Sequence, residues 1–376
     1  MVCSSPGVGL VPYPVELAIF FKKQGHEVHA MVGSLNEFET GLKNSISENG
    51  INLHMIKCLD SKVQALLPIK NELIEILKKI DPDVTHFWGP RTAFQGRKIS
   101  YQKNVARIIM IGSMGHTKGK TLSVRFAAHI ANNYSDKVLA LCEQDAERLR
   151  KVGVDSKKLG VMHFPVCCSK YNKLYFENVN KFRRDQIFDL YKLPKNKKIL
   201  GCFAWFHQHK GHEIAIKAFI KIAEKYSNWN FVLAGDGETL SKCIELSKKL
   251  PNRIHFIGRI KHENVMELMP FCNSVVHPSF IETFGFSMLE PLLFEIPTVM
   301  TRVGIAEEIN RARVAVVVEP RSVTALIEGL CKIFDNEVIM RDMAKQGRKF
   351  VLNNFDTAII GNKLLKLYKD LVYKSN

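Results

Sequence analysis

Short β-branched runs alternate with amphipathic stretches along nearly the whole chain, the signature of parallel strands joined by crossover helices. In the first half this pattern predicts strands at 26–33, 51–59, 83–89, 107–113, 137–142 and 158–165. Helical patterns lie between them, for example at 12–23, 69–80 and 122–133. The run beginning at Leu122 shows the basis: its apolar residues recur at i, i+3 and i+4, the period of a helix face. From about 167 to 196 the strand rhythm breaks, and the stretch reads as a connection with one short helix. The rhythm resumes with strands at 198–206, 229–234, 253–260, 274–278, 298–303 and 314–319. Helices are predicted at 211–226, 238–250, 263–269 and 286–294, and three more close the chain at 322–334, 338–353 and 357–373. The simplest architecture is α/β: two Rossmann-like, doubly wound domains facing each other across a cleft. The domains are placed at 1–166 and 197–356, with 167–196 between them and the helix at 357–376 packing back on the first. Ligands of such sheets bind beyond the carboxyl ends of the strands.

Composition fits this picture and narrows the compartment. The 376 residues exceed what one core usually serves, and 46% hydrophobic with 24% charged residues is ordinary for a globular protein. No apolar run reaches the ~18 residues of a membrane span. The opening residues Met1 to Gly7 lack the charged and apolar regions of a signal peptide and read as a strand end entering a glycine loop, so a cytoplasmic address is expected. Nine scattered cysteines form no zinc or redox pattern and read as small core hydrophobes. The formal net charge of +17 favours a polyanionic partner: nucleic acid, anionic lipid or a phosphorylated substrate. Nucleic acid is set aside, because exposed strands do not interleave aromatic with basic residues.

The strongest local signal is Pro278-Ser-Phe-Ile-Glu-Thr-Phe-Gly-Phe-Ser-Met-Leu-Glu290-Pro. A strand ends at Pro278, a loop carries Glu282, Thr283, Phe284 and Gly285, and a helix starts near Phe286. Gly285 lets the backbone approach a ligand closely, and the free N–H groups of the new helix suit a diphosphate. Glu282 lies before the helix and Glu290 one turn inside it, so the two carboxylates are staggered along one ligand. One can accept from sugar hydroxyls, the other from ribose hydroxyls, a division that fits a nucleotide-sugar.

Glu282-x7-Glu290 resembles the E-x7-E motif of the family 4 retaining glycosyltransferases, which have the two-Rossmann GT-B fold. The continuation Glu290-Pro-Leu-Leu-Phe-Glu-Ile-Pro-Thr-Val is similar to that family's E-A-x-x-x-G-x-P-V-V. The resemblance implies that Glu290 holds the ribose while Glu282 contacts and orients the transferred sugar. It also implies that Lys210, in Lys210-Gly211 after the strand ending at Phe206, neutralises charge on the leaving nucleotide. Trp205 stands where the family carries an arginine, so His207, His209 or a first-half arginine would have to substitute. Phe231-Val-Leu-Ala-Gly-Asp-Gly-Glu238 resembles the family's strand–G-x-G turn, and Arg259 and Ile260 fall where the family faces the base.

In the first half, Gly7-Val8-Gly9 resembles the family's N-terminal glycine loop, which makes Gly9 a donor contact. Asp83-Val-Thr-His86 resembles its P-D-v-v-H strand, with His86 more readily a structural histidine. Gly112 occupies the place of a further family histidine, and the nearest candidate for that catalytic role is His116. His163 to Cys168 replaces the family's N-G-V-D element. Asp81-Pro82-Asp83 spells D-x-D, but it precedes a strand and reads as a turn, not a metal site. No metal and no cofactor is expected; the donor is a nucleoside diphosphate sugar. The acceptor implied is a growing surface glycan or a lipid-linked one, with the basic first domain docking on an anionic inner-leaflet surface. A sugar-nucleotide epimerase or a degenerate, non-catalytic subunit of the same fold stay open as alternatives.

Overall fold

The computed structural model describes residues 2–3, 12–32, 40–56, 72–96, 105–111, 122–172 and 181–375. Its contacts divide the chain into two compact units, Met1–Cys167 with Phe355–Asn376, and Cys168–Asn354.

The first unit is built on a seven-stranded sheet. Its strands are β1 (Val2–Cys3), β2 (His29–Val32), β3 (Asn52–Met55), β4 (Val84–Trp88), β5 (Ala106–Ile111), β6 (Lys137–Ala140) and β7 (Leu159–Val161). They run in the order β3-β2-β1-β4-β5-β6-β7, every pair parallel. Ala106, Ile108, Ile109, Met110 and Ile111 of β5 are buried, as expected of a strand covered on both faces. The turn into β4 bends through Asp81, whose φ of 48° places it in the left-handed region. That backbone matches the turn reading of Asp81-Pro82-Asp83. The helix Thr357–Ser375 belongs to this unit and lies on the helix Pro12–Lys23, where the rings of Phe21 and Tyr368 approach to 5.6 Å.

β1 pairs only at the carboxyl end of its neighbours, Val2 opposite Met31 and Phe87. Below it, His29 and Val84–His86 line a cavity of about 450 Å³ together with Phe21, Leu77 and Tyr368. This cavity opens at the amino ends of the strands, the edge opposite to the one where ligands sit in such sheets.

The second unit has a six-stranded parallel sheet. Its strands are β8 (Lys198–Phe203), β9 (Trp229–Ala234), β10 (Ile254–Phe256), β11 (Ser274–His277), β12 (Thr298–Thr301) and β13 (Val316–Val318). The order is β10-β9-β8-β11-β12-β13, so the winding reverses between β8 and β11. That reversal leaves a crevice beyond the carboxyl ends of those two strands, and the loops that follow them carry Lys210 and Glu282.

Two segments differ from the sequence reading. The stretch that breaks the strand rhythm is part of the second unit's core: helix Lys181–Leu190 packs Ile187 and Phe188 against Val232, Met266 and Val275. Between β12 and β13 lies a helix, Ala306–Ala312, that the periodicity does not reveal. Its seven residues bury only Ala306 and Ile309, too few apolar positions to register a repeat. Among the described residues no helix is long and apolar enough to cross a membrane.

Candidate active site

β8 ends at Phe203, three residues earlier than the apolar run implies, and Ala204–His207 lead into a single 3-10 turn, Gln208–Lys210. His207 caps this turn by accepting from the backbone N–H of His209 at 3.3 Å. Gly211 closes it at φ 71°, and a Cβ there would lie 2.1 Å from the carbonyl oxygen of Pro278. Only glycine lets the β8 loop settle on the β11 loop this closely. The backbone N–H of Phe280 completes the contact by donating to the carbonyl of His209 at 2.6 Å.

This contact brings two candidates together. Lys210 Nζ lies 2.6 Å from Glu282 Oε1, with the two side chains 19% and 13% exposed. Burial would raise the Glu282 carboxyl, but the facing His277 ring and the Lys210 ammonium overcome it and hold the group below its ordinary range. His277, the last residue of β11, is itself driven down to about 4 by burial. It is therefore neutral near pH 7, and Lys210 is the cation that balances Glu282. His277 Nε2 lies 2.7 Å from Ser287 Oγ and 3.4 Å from Glu282 Oε1, so it ties the loop carboxylate to the first turn of the next helix.

That helix, Phe286–Leu293, starts from Gly285 at φ 95° with no side chain capping it. Its first N–H groups point past the end of β11, and the glycine at the N-cap has no side chain with which to accept from them. Phe284 is buried and its ring lies 4.8 Å from that of Phe286, which pins the loop on either side of the glycine. Thr283 is half-buried between Glu282 and this pair. Glu290 lies on the same helix, 13% exposed, and Oε1 accepts from Tyr171 Oη at 3.2 Å and pairs with His262 Nε2 at 2.7 Å.

The other candidates lie around this group or apart from it. Arg259 is exposed and Ile260 half-buried in the loop between β10 and the helix His262–Leu268. Trp205 is 57% exposed and lies 4.9 Å from the His207 ring, which in turn lies 4.1 Å from His209. The residue in the family's arginine position is thus an exposed indole beside two imidazoles. His212 is buried and stacked on Phe206 at 4.0 Å, and burial lowers it to about 3. Among the described residues no group of three His, Cys, Asp or Glu could hold a metal ion.

In the first unit His86 is buried within β4, held by Tyr368 Oη at 2.7 Å and stacked on Trp88 at 5.0 Å, and burial lowers it to about 3. These contacts fix the ring through Nδ1, while Nε2 is buried without a hydrogen-bond partner among the described residues. Gly9, Gly112 and His116 lie outside the described residues.

Sequence reasoning missed the side chains of His277, Ser287, His262 and Tyr171. Of these only His277 left a trace: it is a histidine ending a fully buried four-residue strand, directly before the loop carrying Glu282.

Two family models divide the chain between them. Residues 183–350 match the glycosyl transferases group 1 and residues 9–170 match glycosyltransferase family 4. The chain belongs to the family 4-type glycosyltransferases. Its fold is GT-B, as in a glycosyltransferase from Rickettsia africae (TM-score 0.80, 20% identity, 99% of this chain and 98% of that one). Anabaena Alr3699/HepE, solved with UDP, is equally similar in fold (TM-score 0.80, 17% identity, 98% of each chain).

In sequence, this glycosyltransferase is 28% identical to the N-acetyl-alpha-D-glucosaminyl L-malate synthase of Bacillus anthracis over 51% of each chain. It therefore spans about half the length of that relative. A Campylobacter jejuni enzyme, N,N'-diacetylbacillosaminyl-diphospho-undecaprenol alpha-1,3-N-acetylgalactosaminyltransferase, is 25% identical over 73% of this chain and 72% of its own.

Proposed function

We propose that this glycosyltransferase moves a hexosyl unit from a nucleoside diphosphate sugar to a hydroxyl acceptor with retention at the anomeric carbon. The observation that carries this reading is the Lys210–Glu282 pair, 2.6 Å apart and beside a helix start whose N-cap is a glycine. A diphosphate arriving at that helix would offer Lys210 a second anion. The ammonium can pass from carboxylate to phosphate without being left unpaired, and it then faces the charge that develops as the phosphate leaves. Glu282, released, becomes an acceptor for hydroxyls of the transferred sugar, and Glu290 holds the ribose. In the step itself the bond from the anomeric carbon to the phosphate oxygen breaks. The acceptor oxygen bonds on the same face, and its proton goes to the departing phosphate oxygen. Orientation and preorganised charge supply the rate.

Lys210 and the helix N–H groups supply the countercharge, so the transfer is proposed to be metal-independent: EDTA should leave turnover unchanged. The Campylobacter relative's printed name specifies a diphospho-undecaprenol acceptor. Together with the +17 charge this supports a lipid-linked or growing surface glycan as acceptor, reached from an anionic membrane surface. Equal pelleting with neutral and anionic vesicles would count against the membrane part.

A thermal-shift screen of UDP, GDP and ADP sugars, followed by transfer assays on Lys210→Ala and Glu290→Ala, tests the reading. Both variants should lose donor use sharply, and full turnover by both would overturn the assignment. Trp205 in the arginine position favours one second reading, a non-catalytic subunit. Sugar transfer or donor hydrolysis by the isolated chain would exclude it.

A further inference from the structure

Glu290 is held in an asymmetric way. Both of its protein donors, Tyr171 Oη and His262 Nε2, converge on Oε1, and Oε2 has no hydrogen-bond partner among the described residues. The two donors come from different elements. Tyr171 belongs to the segment that precedes the second sheet and is steadied by the Phe294 ring at 6.0 Å, while His262 opens the helix His262–Leu268. The Glu290 side chain is 13% exposed and the His262 side chain half exposed, so the imidazole brings its donor to the carboxylate from the solvent side. The common effect of the two donors is to fix the carboxylate plane and turn one particular oxygen outward.

We propose that His262 and Tyr171 are positioning residues of the donor site, which hold Glu290 by one oxygen so that the other accepts from the vicinal diol of the donor's ribose. This inference rests on the reading of Glu290 as the ribose holder. It makes selection of ribose over deoxyribose a property of three side chains.

It also makes that selection sensitive to pH. The hydrogen bond to Glu290 raises His262 against the opposing effect of burial, with Glu263 raising it further and Lys170 lowering it. Below that raised value the His262–Glu290 contact is charge-assisted; above it, a neutral imidazole holds the carboxylate less firmly. Preference for the ribonucleotide should therefore be greatest in mild acid and weaken as pH rises through the titration of His262.

The test measures dissociation constants for UDP, GDP and ADP, each against its 2′-deoxy counterpart, between pH 5.5 and 8.5, using the base that binds. The ratio of the two constants cancels the titration of the phosphates, which both ligands share. The native protein should prefer the ribonucleotide by about tenfold or more, the scale of one hydrogen bond to a charged group, with the preference falling as pH rises. His262→Gln, which keeps a neutral donor, should show a reduced preference that no longer varies with pH. Tyr171→Phe should reduce the preference and keep its pH dependence. If Glu290→Ala abolishes the preference while His262→Gln and Tyr171→Phe both retain the native ratio and profile, the positioning role is wrong and the ribose assignment stands. If Glu290→Ala leaves the ratio unchanged, or no nucleotide binds, the ribose assignment fails and this inference goes with it.

Discussion

Replacing Lys210 by methionine removes the ammonium from beside Glu282 and keeps most of the side chain's bulk. At 2.6 Å, an effective dielectric of ~20 gives the pair a gross attraction of about 6 kcal/mol. The hydration lost by both ions cancels much of this, so the pair adds little net stability. Breaking it is a different matter, because Glu282 would be left 13% exposed with a neutral histidine as its nearest neighbour. A fully buried pair broken this way costs about 3–5 kcal/mol, and the residual exposure brings the expectation here to about 2–3 kcal/mol. The carboxylate can escape by protonating. In the native protein Glu282 is held low, which favours folding above its unfolded pKa and is lost in acid. In Lys210→Met the ammonium no longer offsets burial and the group rises from its native value, so the penalty is full near pH 7.5 and shrinks as pH falls. Glu282→Gln removes the charge, and the double variant Lys210→Met/Glu282→Gln should recover most of the lost stability. Urea unfolding of the native chain, both single variants and the double variant should give a coupling energy of about 2 kcal/mol. All three variants should still fail in sugar transfer. Single-variant effects that add to within ~0.5 kcal/mol would refute the argument, since independent sites add to that precision.

Three further outcomes follow from the same geometry. Glu290→Ala should raise the donor KM by about tenfold or more while melting within a few degrees of the native chain, because it removes a ligand-facing acceptor from a partly exposed site. Stability should be full above about pH 6.5 and fall as pH drops towards 4. Unfolded histidines take up protons there, whereas folded His277, held to about 4, does not; it alone accounts for about 3 kcal/mol, and a native chain equally stable in urea at pH 7.5 and pH 5 would contradict this. Gly211→Ala places a methyl group 2.1 Å from the Pro278 carbonyl at a left-handed φ, and should lower stability by about 2 kcal/mol or more in the same unfolding assay.

How far the sequence foretells this arrangement depends on the kind of signal each residue leaves. The doubly wound units were legible because β-branched runs and amphipathic helices each repeat a period over many residues. The helix Ala306–Ala312 was not, because two buried positions make no period. Lys210 and Glu282 were legible as separate candidates, each beside a glycine that punctuates a strand-to-helix turn. Their contact across 72 positions was not, because it depends on β8 and β11 being neighbours at the point where the strand order reverses. His262 and Tyr171 left no local signature at all: a histidine opening a helix and a tyrosine in a polar segment read as surface until the fold sets both against Glu290. The difference is physical. Backbone requirements such as a left-handed glycine or a helix start act over a few residues and are written locally. The choice of which oxygen of a carboxylate is satisfied is made by side chains 28 and 119 positions away, and only the assembled sheet relates them.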